Sequence, residues 1–367
     1  MKICHVTSGH YRNDIRVFLK EVSSLRANGY ETGFVVADGA GNDADNLIYD
    51  VGKPKSRFRR FFGTTRQIYK LIKTFDDTRV FHFHDPELIP IAYKMKRRGK
   101  KVIFDFHEDV PKQLLTKPYL TPFLLKILSG IFARYELNKA KKIDFIITTT
   151  QSSKNKFLKA NKHVEVINNY PLPSEFIKSH PTVDNKERAI CYVGGISRER
   201  GILELIKSLD HVDNIRLKLA GNFKTADVEN EAKKLETWNK VDYYGYVTRQ
   251  ETQNIYKESI AGIVTFLPTP HHMEAQSNKT YEYMAAGLPV IASNFPMWEK
   301  IINEEKCGIC VNPEDPVSIA DAIKYIAGHP EDALEMGKRG VHAAMNKYNW
   351  QVEEKKLLSI YRSLDKS

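Results

Sequence analysis

The sequence predicts an α/β protein built from two doubly wound parallel sheets that face a central cleft. Three observations carry this expectation. Short β-branched or aromatic runs alternate with helical stretches along nearly all of the 367 residues. The alternation pauses once, at residues 168–188, and then restarts. At roughly 100–200 residues per domain, the length favours two domains. Such sheets bind ligands beyond the carboxyl ends of their strands. Residues just after strands are therefore the ones to search for chemistry.

In order, residues 2–8 read as a strand. A helix follows from Asp14 to Asn28, with Val17, Phe18, Val22 and Leu25 on one face and Gly29 as its stop. Further strands are expected at 31–38, 79–85, 101–108, 144–150 and 163–169. Thr121 to Ala140 reads as a helix, with Thr121 as N-cap and Pro122 in its first turn. The stretch 168–188 holds three prolines and no sustained periodicity, so it reads as a linker. Strands then recur at 189–195, 215–221, 240–246, 261–268, 288–293 and 308–313, and the last ~50 residues are helical in pattern. The predicted domains are 1–170 and 188–347, joined by a linker at 171–187 and followed by a terminal helix at 348–367.

Hydrophobic residues at 42% and charged residues at 28% are ordinary for a soluble globular chain. They exclude collagen-like, largely disordered and disulfide-scaffold classes. No apolar run approaches the ~18 residues of a membrane span. The start MKICHVTSGH has no secretory hydrophobic core, so a cytoplasmic location is expected. Cys4 and Cys191 sit in apolar runs and read as buried thiols. Cys307 and Cys310 form a lone C-x-x-C, with no second pair or nearby histidines to complete a zinc site, and read as part of a strand. The net charge of +11 asks for an anionic partner.

Two segments of the second half carry phosphate chemistry. After the strand at 189–193, Gly194 and Gly195 allow a tight turn, Arg198 and Arg200 follow, and a helix begins after Gly201. A helix N-terminus beside guanidinium groups suits a diphosphate. The plain alternative is a glycine turn with solvated arginines. The second segment runs from Glu274 to Ser293, with Glu282 eight residues after Glu274. A carboxylate at Glu282 suits ribose hydroxyls, Ser277, Asn278 and Lys279 suit phosphate oxygens at a helix start, and Glu274 suits sugar hydroxyls. Its plain alternative is an amphipathic helix with surface carboxylates.

The string Glu274-Ala-Gln-Ser-Asn-Lys-Thr-Tyr-Glu282-Tyr-Met-Ala-Ala-Gly-Leu-Pro-Val-Ile-Ala resembles the E-x7-E segment of the retaining family-4 glycosyltransferases, which have the GT-B fold. Ala-Gln-Ser-Asn-Lys stands where that family has a glycine-rich loop. The family's G-R-x-x-x-x-K-G segment falls on Gly194 to Gly201, with Arg200 in place of its lysine and Gly195 in place of its arginine. That phosphate contact is either missing or supplied by Arg198. The ending Tyr348 to Tyr361 is similar to the terminal helix that crosses back to the first domain. The resemblance implies two Rossmann-like domains, the first on the acceptor side and the second holding a nucleotide-diphospho-sugar, with a UDP-sugar preferred over a GDP-sugar. It implies transfer with retention, without a metal, and no bound cofactor. Arg200, Arg198 and Lys279 would then steady the leaving diphosphate, Glu274 would orient the sugar, and His107 takes the place of the family's histidine that faces the transferred sugar. The setting implied is bacterial polysaccharide assembly, such as O-antigen or capsule. A nucleotide-sugar 2-epimerase of the same fold is the alternative enzyme.

In the first half, His82, His84, Asp85 and Glu87 follow one strand, and Asp105, His107 and Glu108 another. His84 and Asp85 are expected on the acceptor side, whereas His82 reads as a core histidine. A zinc or iron site drawn from this set is the alternative. His10, Asp14 and Arg16 follow the first strand and are expected to meet the acceptor, although Asp14 also reads as a helix cap. Residues 53–73 hold eight Lys/Arg and no acid, interleaved with Phe58, Phe61, Phe62 and Tyr69. With the apolar side chains of 121–140, chiefly Phe123, Leu124, Leu125, Leu128 and Phe132, they suit the surface of an anionic membrane and a glycan or lipid-linked acceptor. Nucleic acid is not the expected partner. The remaining readings are a solvated basic helix with its aromatics packed inward, and a non-enzymatic basic binding protein. Asp43-Ala-Asp45 lies in a Gly/Asp/Asn loop and is taken as chance.

Overall fold

The computed structural model describes residues 1–107, 109–115, 121–172 and 188–365. Glu108 and most of the predicted linker lie outside the described residues. The chain divides into two compact units, Met1–Asn169 with Gln351–Ser367, and Tyr170–Trp350.

Unit 1 is built on seven strands: β1 (Lys2–Val6), β2 (Glu31–Val36), β3 (Ile48–Asp50), β4 (Val80–Phe83), β5 (Lys101–Phe106), β6 (Phe145–Thr148) and β7 (Val164–Val166). They pair in the order β3-β2-β1-β4-β5-β6-β7, every pair parallel. Unit 2 has six: β8 (Ala189–Val193), β9 (Arg216–Ala220), β10 (Val241–Gly245), β11 (Ala261–Val264), β12 (Val290–Ser293) and β13 (Gly308–Val311). Their order is β10-β9-β8-β11-β12-β13, again all parallel. β4, β8, β11 and β12 are buried at every residue, because helices cover both faces of each sheet. The strand order reverses between β1 and β4 in unit 1, and between β8 and β11 in unit 2. These are the points where open α/β sheets leave a crevice at the strand ends.

Every expected strand is present, shortened at its ends. β3 was not expected. It has three residues and follows a polar loop, so no apolar run announces it. The first helix begins where predicted, with Val17, Val22 and Leu25 buried and Phe18 packed beside them. Its first half, Ile15–Val22, is wound as a π-helix, and only Ser23–Ala27 is α-helical. The Leu19 amide donates to the Asp14 carbonyl, five residues back, at 3.0 Å. Gly29 ends it with φ +82°. Thr121 precedes the helix Pro122–Ala140, but its side chain makes no capping bond; Pro122, in the first turn, has no N–H to satisfy. The C-terminal helix Trp350–Asp365 belongs with unit 1 from Gln351 onward. Glu353 on it accepts from the Asn168 amide at 3.0 Å, and the Tyr361 hydroxyl lies 2.8 Å from His82 Nδ1. All four cysteines are free thiols. Cys4, Cys191 and Cys307 are buried, with Cys310 on β13.

Candidate functional site

In unit 2 the residues gather at the β8/β11 switch point. Gly194 leaves β8 with φ +153°, and a Cβ there would lie 3.2 Å from Arg200 Nη1 and 3.5 Å from Lys279 Cε. Two cationic side chains, 79 positions apart in sequence, therefore meet over one glycine. Arg200 is held by the Gly195 carbonyl at 3.0 Å and the Tyr192 hydroxyl at 3.4 Å, with its guanidinium 5.3 Å from the centre of the Phe266 ring. Lys279 Nζ donates to Glu282 Oε2 at 2.6 Å, and the buried Tyr256 hydroxyl donates to the same oxygen at 3.0 Å. Glu282 is thus oriented from two sides. Ser277 and Asn278 open the helix Asn278–Ala285, and no side chain caps this start, an anion-friendly terminus.

Gly201 explains why this loop sits so close to β11. Its φ is +66°, and a Cβ would lie 1.9 Å from the Thr265 carbonyl oxygen. Only glycine fits. Arg198 is placed differently from expectation: its guanidinium pairs with Glu231 on the neighbouring helix Ala226–Lys234, and both side chains are largely exposed. It does not join Arg200 and Lys279. Glu274 is exposed in the segment before the helix, where the Trp298 indole N–H donates to the Ala275 carbonyl at 2.8 Å and anchors the chain.

Two residues of this region escaped the sequence reading. Lys224 brings its Cε within 3.8 Å of where a Gly195 Cβ would be. His272 packs on Phe266 at 4.8 Å, and burial lowers its pKa to about 4, which keeps the ring neutral near pH 7. Both lie after strand ends, at β9 and β11, and that position was the available signal.

In unit 1 the loops after β1 and β4 interlock at the other switch point. Asp85 accepts from Thr7 Oγ1 at 2.6 Å and from the Ser8 amide at 2.7 Å, and Ser8 Oγ donates to Glu87 at 2.6 Å. Burial alone would raise the Asp85 pKa, but the His10 charge and these hydrogen bonds hold it below the usual range. His10 Nδ1 lies 3.0 Å from Asp14 Oδ2, and Asp14 Oδ1 caps the Val17 amide at 2.8 Å. Burial opposes the charge on both groups. The hydrogen bond between them and the surrounding charges together outweigh it, raising the His10 pKa and lowering that of Asp14 to about 2. His10 and His107 rings meet edge-on at 5.1 Å. The His107 carbonyl accepts from Thr149 Oγ1 at 3.2 Å.

Arg16, His84 and Asp85 were expected on the acceptor side, and the structure buries all three. Arg16 is buried, and its guanidinium donates to both oxygens of Asp105 at 2.9 and 3.2 Å and to the Ile167 carbonyl at 3.0 Å. Its side chain is 7% exposed. His84 is also buried, and burial lowers its pKa. Arg60 departs from the rest of the basic segment too. It folds onto Asp85 and Glu87 and covers Gly9. Phe58, Phe61 and Phe62 stay exposed at 72%, 52% and 65%. On the helix Pro122–Ala140, Phe123, Leu124 and Leu128 are exposed, whereas Leu125 is buried. The inward-packed alternative thus fails for those three phenylalanines and holds for Tyr69, which packs against the unit 1 core.

The fold and the residues at its switch points define a two-domain α/β protein in which Arg200 and Lys279 converge at one sheet end. Two family models cover the two halves. "Glycosyltransferase Family 4" matches residues 16–170, and "Glycosyl transferases group 1" matches 173–342. Each half thus matches a glycosyltransferase family model, and the fold is that of the GT-B glycosyltransferase structures. An uncharacterized glycosyltransferase of Methanocaldococcus jannaschii is 28% identical over 187 residues, 49% of this chain and 46% of that protein. The capsular polysaccharide biosynthesis glycosyltransferase CapM of Staphylococcus aureus is 26% identical over 191 residues, 49% and 47% of the two chains. The chain thus spans about half the length of the curated relatives it matches. The solved structure of Anabaena HepE in complex with UDP and glucose covers 99% of this chain and 100% of its own, with a TM-score of 0.74 at 13% identity. No helix among the described residues is long and apolar enough to cross a membrane.

Proposed function

We propose that the protein transfers a sugar from a nucleotide-diphospho-sugar, preferably a UDP-sugar, to a hydroxyl of a glycan or lipid-linked acceptor, with retention of configuration. The observation that carries this reading is the convergence of Arg200, Lys279 and Glu282 beside Gly194 at the β8/β11 switch point. Glu282, oriented by Tyr256 and Lys279, accepts the ribose hydroxyls. Arg200, Lys279 and the amides at Ser277 and Asn278 hold the diphosphate. As the bond from the anomeric carbon to the phosphate oxygen breaks, negative charge grows on the leaving diphosphate. Pre-placed cations lower the barrier there because they need no reorganisation. The acceptor oxygen bonds to the same face of that carbon, and its proton passes to a phosphate oxygen of the leaving group. Glu274 is assigned to the sugar hydroxyls. On the acceptor side the accessible candidate is His10, which Asp14 holds; Asp85 is buried beneath Arg60 and orders the loop after β1. His107 is assigned to the transferred sugar by resemblance alone.

The same reading assigns the enzyme to surface polysaccharide assembly, in keeping with the capsular polysaccharide biosynthesis for which CapM is named. It also places the protein on the cytoplasmic face of an anionic membrane. Exposed phenylalanines beside Arg57 and Arg59 support that contact, because apolar rings and cations bind an anionic leaflet together.

The test is a thermal-shift panel of UDP, GDP, ADP and CMP, followed by incubation with the matching nucleotide-sugars. A shift with one diphosphate, and transfer to an added glycan or lipid-linked acceptor, is the expected result. No shift with any nucleotide overturns the donor site. Isomerised donor in the absence of acceptor would make the protein an epimerase.

A further inference from the structure

Behind the β1/β4 loops lies a cluster that the proposed reaction does not use. β1 and β4 pair with His5 opposite His82, and His84 is two residues further on, so three imidazoles share one face of the sheet. The π-helical turn lays Glu21 onto that face, and the C-terminal helix adds Tyr361. His5, Glu21, His82 and His84 are all at most 1% exposed. Glu21 Oε2 lies 3.8 Å from His5 Nδ1, 3.8 Å from His82 Nδ1 and 3.9 Å from His84 Nε2. One donor atom from each of the four lies within 4.8 Å of the others.

Neither oxygen of Glu21 makes a hydrogen bond, although Arg16 Nε stands 3.3 Å from Oε1. A buried carboxylate in that condition is costly. Protonation does not relieve it, since the nearest imidazole nitrogens are beyond hydrogen-bond reach of the new O–H. The spacing itself indicates what would fit. Edges of 3.8 Å put the centre of a regular tetrahedron about 2.3 Å from each corner, close to the ~2.0–2.2 Å of zinc bonds to imidazole and carboxylate. A water hydrogen-bonded to all four groups would need about 2.8 Å. The one short edge, 3.0 Å between His5 Nδ1 and His84 Nε2, is a hydrogen bond that an ion would open by a few tenths of an ångström.

The outer partners are also those of a metal site. His5 turns its other nitrogen, Nε2, to the Tyr361 oxygen at 3.1 Å. His84 Nδ1 faces Asp105 at 3.5 Å without a hydrogen bond, and Asp105 is itself held by Arg16. Such contacts fix the tautomer and aim of ligating imidazoles. His82 Nδ1 would exchange its Tyr361 contact for the ion. A second possible set, His84, Asp105 and His107, is weaker because both oxygens of Asp105 already serve Arg16.

We propose that His5, His82, His84 and Glu21 bind one divalent transition-metal ion, zinc by the chemistry of its ligands, as a structural clamp that ties β1 and β4 to the first helix. The ion would be buried in unit 1 and take no part in the transfer step.

The experiment uses the full chain, unfolded in denaturant with EDTA and refolded with zinc, with cobalt or with no metal, then passed over a weak chelating resin. The expected result is about one zinc per chain by elemental analysis, a tetrahedral cobalt absorption spectrum, and a higher melting temperature than the metal-free sample. Glu21→Gln should retain less than about one-tenth of the metal. Wild-type protein that keeps no zinc and melts at the same temperature with and without it overturns the proposal, whatever the variant does. Full retention of zinc by a folded Glu21→Gln also overturns it, since the ion then sits elsewhere.

Discussion

Replacing Gly201 by alanine tests how closely the phosphate-side loop is seated on β11. The new methyl group would meet the Thr265 carbonyl at 1.9 Å, some 1.5 Å inside ordinary contact, at a backbone φ of +66°. The left-handed backbone by itself costs a side chain about 1–2 kcal/mol. Forcing backbone apart in a packed unit costs about 1–3 kcal/mol more. Gly245 separates these two contributions. It lies in the same unit with φ +64°, and nothing stands within 4 Å of its added Cβ. Gly245→Ala should therefore show the backbone cost alone. For a unit of this size, 1 kcal/mol corresponds to about 2–4 °C in melting temperature. Gly245→Ala should lower the unit 2 transition by about 2–8 °C, and Gly201→Ala by about 4–20 °C and always by more than Gly245→Ala. Differential scanning calorimetry resolves the difference. Equal shifts for the two variants would refute the contact with Thr265, and with it the reason the loop needs glycine there.

Glu282→Ala removes the acceptor shared by Tyr256 and Lys279 and should weaken UDP binding about 10–100-fold, the equivalent of a hydrogen bond to a charged group; titration calorimetry showing wild-type affinity would remove Glu282 from the ribose role. The His10–Asp14 pair predicts a pH signature. A raised His10 pKa stabilises the fold fully below the ordinary histidine value of ~6.5 and loses that effect as pH rises through the raised value, while Asp14 contributes above ~3.9 and fails as pH falls through about 2. His10→Ala should therefore cost most near pH 4–6.5, about 0.5–1 kcal/mol for a pair of side chains a quarter exposed, and little at pH 9; denaturant melts with a pH-independent gap would contradict the pairing. Phe58, Phe61 and Phe62 changed together to serine should weaken binding to anionic vesicles at least about tenfold, with the fold intact because all three are exposed. Unchanged co-sedimentation would count against the membrane face.

Arg60 shows where sequence reasoning about this face ran out. Within the basic run, every Lys and Arg looks equally solvated. Only the structure folds Arg60 back onto Asp85 and Glu87, some 25 residues away, while Arg57 and Arg59 remain outside. The assignment of Arg16 to the acceptor side failed for a similar reason. A residue after a strand end points either to the crevice or beneath it, and the winding of a π-helical first turn carried this one beneath, onto Asp105.

The sequence by itself determined the alternation of strands and helices, and hence two parallel doubly wound sheets, because period, β-branching and glycine stops are local properties of the chain. It also located the segment from Glu274 to Ser293, since that motif is contiguous. The strand orders were decided only in three dimensions. They set the two switch points and thereby determine which strand-end residues meet: Arg200 with Lys279 over Gly194, and His5 with Glu21, His82 and His84. Such groups lie tens of residues apart, and nothing local marks them as neighbours. Whether a histidine or an arginine at a strand end is a solvated contact or a buried partner depends on what the sheet and its covering helices bring against it.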